Sequence, residues 1–172
     1  MKRAKTSFLE KEMDLDVLQK QVAAWRSENL IICFTNGCFD ILHLGHVTYL
    51  EKAAAQADIM IVGVNSDRSV RALDKAPNRP INPASARAKV IASLASVGAV
   101  VVFDEDTPER LISKIMPDVL VKGGDYDPDE TNANHPKYIV GREDVLKNGG
   151  RVKTIDLVEG FSTTSVIEKM KQ

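Results

Sequence analysis

Two cysteines, one tryptophan and 5% aromatic residues in 172 positions leave little material for several familiar kinds of protein. Cys33 and Cys38 are five apart with no partner cysteines, so neither a zinc ribbon nor a redox C-x-x-C is supported. Free thiols in a chain without a secretory signal point to the cytoplasm, with a disulfide as the lesser alternative. The N-terminal stretch "MKRAKTSFLEKEMDLD" carries basic residues but no apolar core, so it does not read as such a signal. No apolar run approaches the roughly 18 residues of a membrane span. Charge of one sign is also missing: 23 basic residues face 24 acidic ones, for a net charge of −1. That balance offers neither nucleic acid nor an anionic membrane surface an electrostatic reason to bind. There is no Walker A loop and no G-x-G-x-x-G, which disfavours a P-loop ATPase or a dinucleotide oxidoreductase.

What is present is alternation. With 44% hydrophobic and 27% charged residues, the composition suits one globular core. Strand-length apolar runs occur at "LIICFT" (30–35), "ADIMIVGVN" (57–65), "VGAVVVF" (97–103), "DVLVKG" (118–123) and "RVKTIDL" (151–157). Helix-period segments separate them. "LDVLQKQVAAWRSE" (15–28) presents Leu15, Leu18, Val22 and Trp25 on one face. "HLGHVTYLEKAAAQ" follows the first run. "NPASARAKVIASLASV" starts with Asn82 as N-cap and Pro83 at the first helical position, and "TPERLISKIM" repeats the device with Thr107 and Pro108. "IVGREDVLKNGG" ends in helix-stopping glycines. Short continuous strands each followed by a helix predict an α/β, doubly wound Rossmann-like sheet of five parallel strands, ordered 3-2-1-4-5. Residues 1–29 read as an N-terminal helical extension packed on a domain spanning 30–172.

Ligands of such sheets bind at the carboxyl ends of the strands. Four segments leave those ends: "TNGCFDILHLGH", "NSDRSVRALDK", "KGGDY" and "VEGFSTTSVIEK". In the first, Gly37 permits close backbone approach, and the following helix start offers N–H groups to a phosphate. His43 and His46 lie i, i+3 on one helical face, with Gly45 between them. Zinc is the rival reading, but H-x-x-H lacks the spacing and glutamate of H-E-x-x-H, and no third ligand is evident. Ser162, Thr163 and Thr164 suit a helix N-cap and, within a crevice, phosphate oxygens as well. "GGDYDPDETNANHPKY" (123–138) is the one long polar interruption, and long loops in compact domains are often functional.

"TNGCFDILHLGH" resembles the T-x-G-x-F-D-x-x-H-x-G-H signature of the nucleotidyltransferases that include glycerol-3-phosphate cytidylyltransferase and pantetheine-phosphate adenylyltransferase. "EGFSTTSVIEK" resembles their second signature. "VNSDRSVRAL", "RPINP", "DEDTPERLISKIMPDVLVKGGDY" and "VEGFSTT" extend the resemblance to the D-glycero-β-D-manno-heptose 1-phosphate adenylyltransferases over most of residues 30–170. That subfamily is often fused to a sugar kinase, for which this chain has no room. The resemblance implies an HxGH-type nucleotidyltransferase domain that joins ATP, carrying Mg²⁺, to a heptose 1-phosphate, with release of pyrophosphate. It implies His43, His46 and Lys75 as catalytic residues. It also implies a nucleotide site built from Thr35, Asn36, Gly37, Cys38, Phe39, Gly45, Asn65, Arg87, Lys122, Gly123, Gly124, Asp125, Ser162, Thr163 and Thr164. The metal would be carried by the nucleotide rather than by protein ligands, and Asp40 would anchor the turn. A homodimer is the implied assembly. One departure stands out: Leu157-Val158 precedes Glu159-Gly160 where the glycerol-3-phosphate enzymes have Arg-Thr. Another phosphorylated acceptor, or a nucleotide-binding module without turnover, remains an alternative.

Overall fold

A computed structural model describes residues 7–73 and 78–170. Within them the chain runs α1 (Phe8–Lys11), α2 (Leu15–Ser27), β1 (Ile32–Gly37), α3 (Leu44–Ala54), β2 (Ile59–Asn65), α4 (Asp67–Ala72) and α5 (Ala84–Ala92). It continues as β3 (Ala99–Phe103), α6 (Glu109–Ile115), β4 (Val119–Gly123), α7 (Arg142–Lys147), β5 (Arg151–Ile155) and α8 (Thr163–Met170). The five strands form one sheet, ordered β3-β2-β1-β4-β5, with every pairing parallel. This is the doubly wound order expected from the alternation. Order reverses beside β1, which pairs with β2 on one side and β4 on the other.

The pleat sorts each apolar run onto two faces. Cys33 points to a layer formed with Met60, Val62, Val100, Val119 and Val121, covered by α3 (Tyr49, Leu50, Ala53) and α5 (Ala88, Ile91, Ala92). Ile32 and Phe34 point the other way, with Ile61, Val101 and Leu120, under α2 (Leu18, Val22) and α6 (Leu111, Ile112, Ile115). Burial on both faces explains why the strands are continuously apolar rather than alternating. The Leu18–Val22 stripe therefore completes the second layer, and Asp14 caps its helix by accepting the Val17 amide at 2.8 Å. No described helix is long and apolar enough to cross a membrane.

Two caps differ from expectation. Pro83 and Pro108, not Asn82 and Thr107, occupy the N-cap positions, and neither helix start has a side-chain cap. Asn82 is otherwise engaged, its Nδ2 donating to the Asp40 carbonyl at 2.7 Å.

Candidate active site

A cleft of about 780 Å³ opens at the carboxyl ends of the strands. The first βα connection forms its floor: Asn36, Gly37, Cys38 and Phe39 leave β1, and His43 and His46 open α3. Phe39 adopts the left-handed region (φ 47°), which turns its ring back beneath the strand end. A Cβ on Gly37 would meet that ring at 3.0 Å. Glycine is required here by the protein's own packing, not solely by a ligand.

His43 is the N-cap of α3, its Nδ1 accepting the His46 amide N–H at a long 3.4 Å. Its ring stacks on His46, with centroids 3.8 Å apart, and His46 meets Phe39 edge-on at 5.3 Å. Burial pushes the His43 pKa below its ordinary 6.5, favouring the neutral ring. A neutral imidazole accepting through Nδ1 carries its proton on Nε2, so the capping bond selects a tautomer with one N–H donor left for the cleft. Gly45 makes the stack possible: a Cβ there would lie 3.0 Å from the His43 ring and 3.2 Å from Phe161 Cβ.

The neighbouring strand ends supply the walls. Lys122, ending β4, donates to Asn36 Oδ1 at 2.5 Å and lies 5.3 Å over the Tyr126 ring. Asn65, ending β2, donates to Ser69 Oγ at 2.9 Å. Gly123 and Asp125 continue one wall, and a Cβ on Gly123 would meet Asp125 Oδ1 at 2.6 Å. Ser162, Thr163 and Thr164 close the cleft from the start of α8. Ser162 Oγ accepts the Ser165 amide at 3.0 Å, so it caps the helix and lines the cleft at once.

Three expected nucleotide residues fall outside this lining. Thr35 is fully buried below the floor, bonded to the Tyr49 hydroxyl at 2.7 Å. Gly124 lies behind the wall, its amide donating to the Ile155 carbonyl at 2.8 Å. Arg87, 1% exposed, is neither a surface arginine nor a cleft residue. Its guanidinium donates to the Cys38 carbonyl (2.6 Å), the Asn82 carbonyl (2.9 Å) and Asp67 Oδ1 (2.8 Å). A cation held this way supports the floor from below. Lys75 lies outside the described residues. Asp40 anchors the turn: its carboxylate accepts the amides of Ile81 and Asn82 at 2.9 Å and Arg79 Nε at 3.0 Å. Burial opposes its charge, but these donors outweigh burial and hold its pKa below the usual value.

Arg79 and Thr107, which the sequence did not mark as site residues, also contribute to the lining, and the long polar loop supplies Tyr126, Ala133, His135, Pro136 and Tyr138, with Val140 just beyond it. His135 there sits with Nδ1 3.0 Å from Glu130 Oε2. The signal for Arg79 was Asp40 itself, since a buried carboxylate demands a partner. Cys33 and Cys38 are free thiols, and burial pushes Cys33 up to about 12.

Residues 34–169 match the family model described as cytidylyltransferase-like. The bifunctional protein HldE of Mesorhizobium japonicum is 52% identical over 159 residues, covering 92% of this chain and 30% of that protein. The bifunctional protein HldE of Haemophilus ducreyi is 53% identical over 146 residues, covering 85% of this chain and 28% of that one. The chain thus spans about 30% of the length of these curated relatives. Among solved structures, the lipopolysaccharide core biosynthesis protein of Thermoplasma volcanium GSS1 superposes with a TM-score of 0.57 at 27% identity, covering 75% of this chain and 97% of that one. Pantoate-beta-alanine ligase of Francisella tularensis shares the fold, with a TM-score of 0.50 at 13% identity over 89% of this chain and 75% of that one. With its paired histidines and Ser/Thr cluster facing one cleft, this chain belongs to the cytidylyltransferase-like family of nucleotidyltransferases.

Proposed function

We propose that the chain transfers the adenylyl group of ATP to D-glycero-β-D-manno-heptose 1-phosphate, giving ADP-heptose and pyrophosphate for lipopolysaccharide or another surface polysaccharide. The observation that carries this reading is the convergence of "HLGH", "KGGD" and "STT" on one cleft at the strand ends. Identity of about half to the HldE proteins supports the choice within the family.

In this reaction an ionised oxygen of the sugar phosphate attacks the α-phosphorus in line. The new P–O bond forms as the α–β bridging P–O bond breaks, and its electron pair leaves on pyrophosphate. No proton need move, so catalysis is positioning plus stabilisation of charge on phosphate oxygens. His43 Nε2–H, His46 and the amides at the start of α3 would serve the α- and β-phosphates. Ser162, Thr163 and Thr164 would hold the far end of the triphosphate, and the Lys122–Asp125 wall the adenosine. Lys75, from its match to the family, would neutralise the reacting phosphates. The wall from Ala133 to Val140 would shape the sugar side. Mg²⁺ would neutralise triphosphate charge. Among the described residues no three His, Cys, Asp or Glu side chains are grouped to hold a metal. A cytoplasmic homodimer that binds neither nucleic acid nor membrane completes the proposal.

Pyrophosphate release from a panel of nucleotides and sugar 1-phosphates tests it. ATP with the heptose 1-phosphate should be the preferred pair. Turnover with CTP equal to or better than with ATP would refute the adenylyl assignment.

A further inference from the structure

Arg79 enters the cleft on a fixed mount. Its side chain is 11% exposed and that of Asp40 is 0% exposed, with Nε to Oδ2 at 3.0 Å. The Asp40 carboxylate also accepts two backbone amides, so its charge is divided among three donors and does not fully cancel the guanidinium. An arginine presents five N–H groups in a planar fork, and Asp40 takes only the Nε edge. Among the described residues Nη1 and Nη2 make no hydrogen bond, and Arg79 lines the cleft. The other lysine or arginine in the described lining, Lys122, is tied to Asn36 at the end of β4. A guanidinium held at one edge, with its Nη pair left for a polar cleft, suits a two-oxygen anion.

We propose that Arg79 is a phosphate clamp whose Nη groups bind an oxyanion of the substrate. The proposal rests on the reading of the cleft as a nucleotidyltransferase site. Either the triphosphate or the acceptor's phosphate can supply this anion, and binding measurements separate them. Calorimetry compares ATP with adenosine, CTP with cytidine, and heptose 1-phosphate with heptose, for wild type, Arg79→Gln and Arg79→Lys. A clamp on the nucleotide weakens ATP about 10- to 100-fold in Arg79→Gln while adenosine changes by less than about twofold, because charge-assisted hydrogen bonds are lost and base contacts are not. A clamp on the acceptor moves the same loss to the heptose 1-phosphate and leaves ATP unchanged.

Arg79→Lys keeps a cation against Asp40, so it folds even where the glutamine variant does not. An ammonium drawn to the carboxylate lacks the paired, planar Nη donors for a two-oxygen anion, so it too loses much of the phosphate preference. Variants that keep the full wild-type preference in every pair overturn the clamp alone. So does an equal loss of ATP and adenosine, which would make Arg79 only a prop for Asp40. Wild-type protein that binds phosphorylated ligands no better than their dephosphorylated forms overturns the reading of the cleft and the clamp with it.

Discussion

Replacing Arg87 by methionine separates a support beneath the cleft from a ligand within it. Methionine keeps much of the aliphatic volume but removes every donor. The Cys38 and Asn82 carbonyls, now bonded at 2.6 and 2.9 Å, lose their partner where the guanidinium was fully buried. The buried Cys38 carbonyl left without a donor costs about 1–3 kcal/mol, and the Asn82 carbonyl, on an exposed residue that water can reach, costs less. Asp67 is the third partner, at 2.8 Å, but its side chain is 33% exposed and it keeps the Ala84 amide at 2.8 Å. Its share is therefore discounted for solvent screening. The sum is about 2–4 kcal/mol. In a chain of 172 residues that corresponds to a fall in Tm of roughly 4–16 °C.

Thermal unfolding followed by circular dichroism measures the fall. Arg87→Lys should lose less, since one ammonium can serve some but not all of three acceptors. ATP should restore part of the lost stability in both variants through mass action, because the triphosphate does not need Arg87. An Arg87→Met protein that melts within about 2 °C of wild type yet fails to bind ATP would refute this account. It would place the guanidinium on the phosphates, as the family resemblance implied.

Other consequences follow from the same geometry. His43→Ala and His46→Ala should each lower kcat by about 10²–10³ with the fold intact, and the double variant should fall short of the product because both act on one transition state; near-normal turnover in both single variants would sink the assignment. Gly45→Ala should change stability by at most about 1 kcal/mol, yet its Cβ would press on the His43 ring at 3.0 Å, so kcat should drop at least about tenfold by misplacement of a catalytic group; full activity would show that the stack is dispensable. The depressed His43 pKa predicts a pH effect of definite sign. The unfolded chain takes that proton first, so the His43 contribution is complete above pH 6.5 and lost as pH falls below it. Urea unfolding from roughly pH 7 to 5 should show this slope, and His43→Asn should flatten it.

Local patterns were legible and long-range polar pairings were not. Continuous β-branched runs announced buried parallel strands because each residue packs on one face or the other. The ladder nevertheless runs on through Asn36 and Gly37, which pair with Gly63 and Val64 although neither looks like strand. Register comes from the partner strand, which the run itself does not reveal. His43 and His46 were visible because their i, i+3 spacing is a local fact, whereas their stacking depends on Gly45 and the neutral His43 ring. The resemblance placed Arg87 in the nucleotide site, and nothing local showed otherwise, because its acceptor on Cys38 lies 49 residues away. Asp40 and Arg79 are 39 apart, and only the fold makes them a pair.

Those invisible pairings decide how the site behaves. Three buried or half-buried polar ties hold the first βα connection: Lys122 on Asn36, Arg87 on Cys38, and the 79–82 segment on Asp40. Each reaches the connection from a different part of the chain, so its shape is set before any substrate arrives. Preorganisation of that kind lowers the ordering cost of binding. It also couples stability to function at the ties but not at the rim. Loss of Arg87 should weaken fold and activity together, while loss of His46 should remove activity from a protein that still melts near the wild-type temperature. Loss of His43 should also remove activity, adding only the cost of its long cap bond, at most about 0.5–2 kcal/mol. A common stability cost at all these positions would mean that the histidines, too, belong to the scaffold.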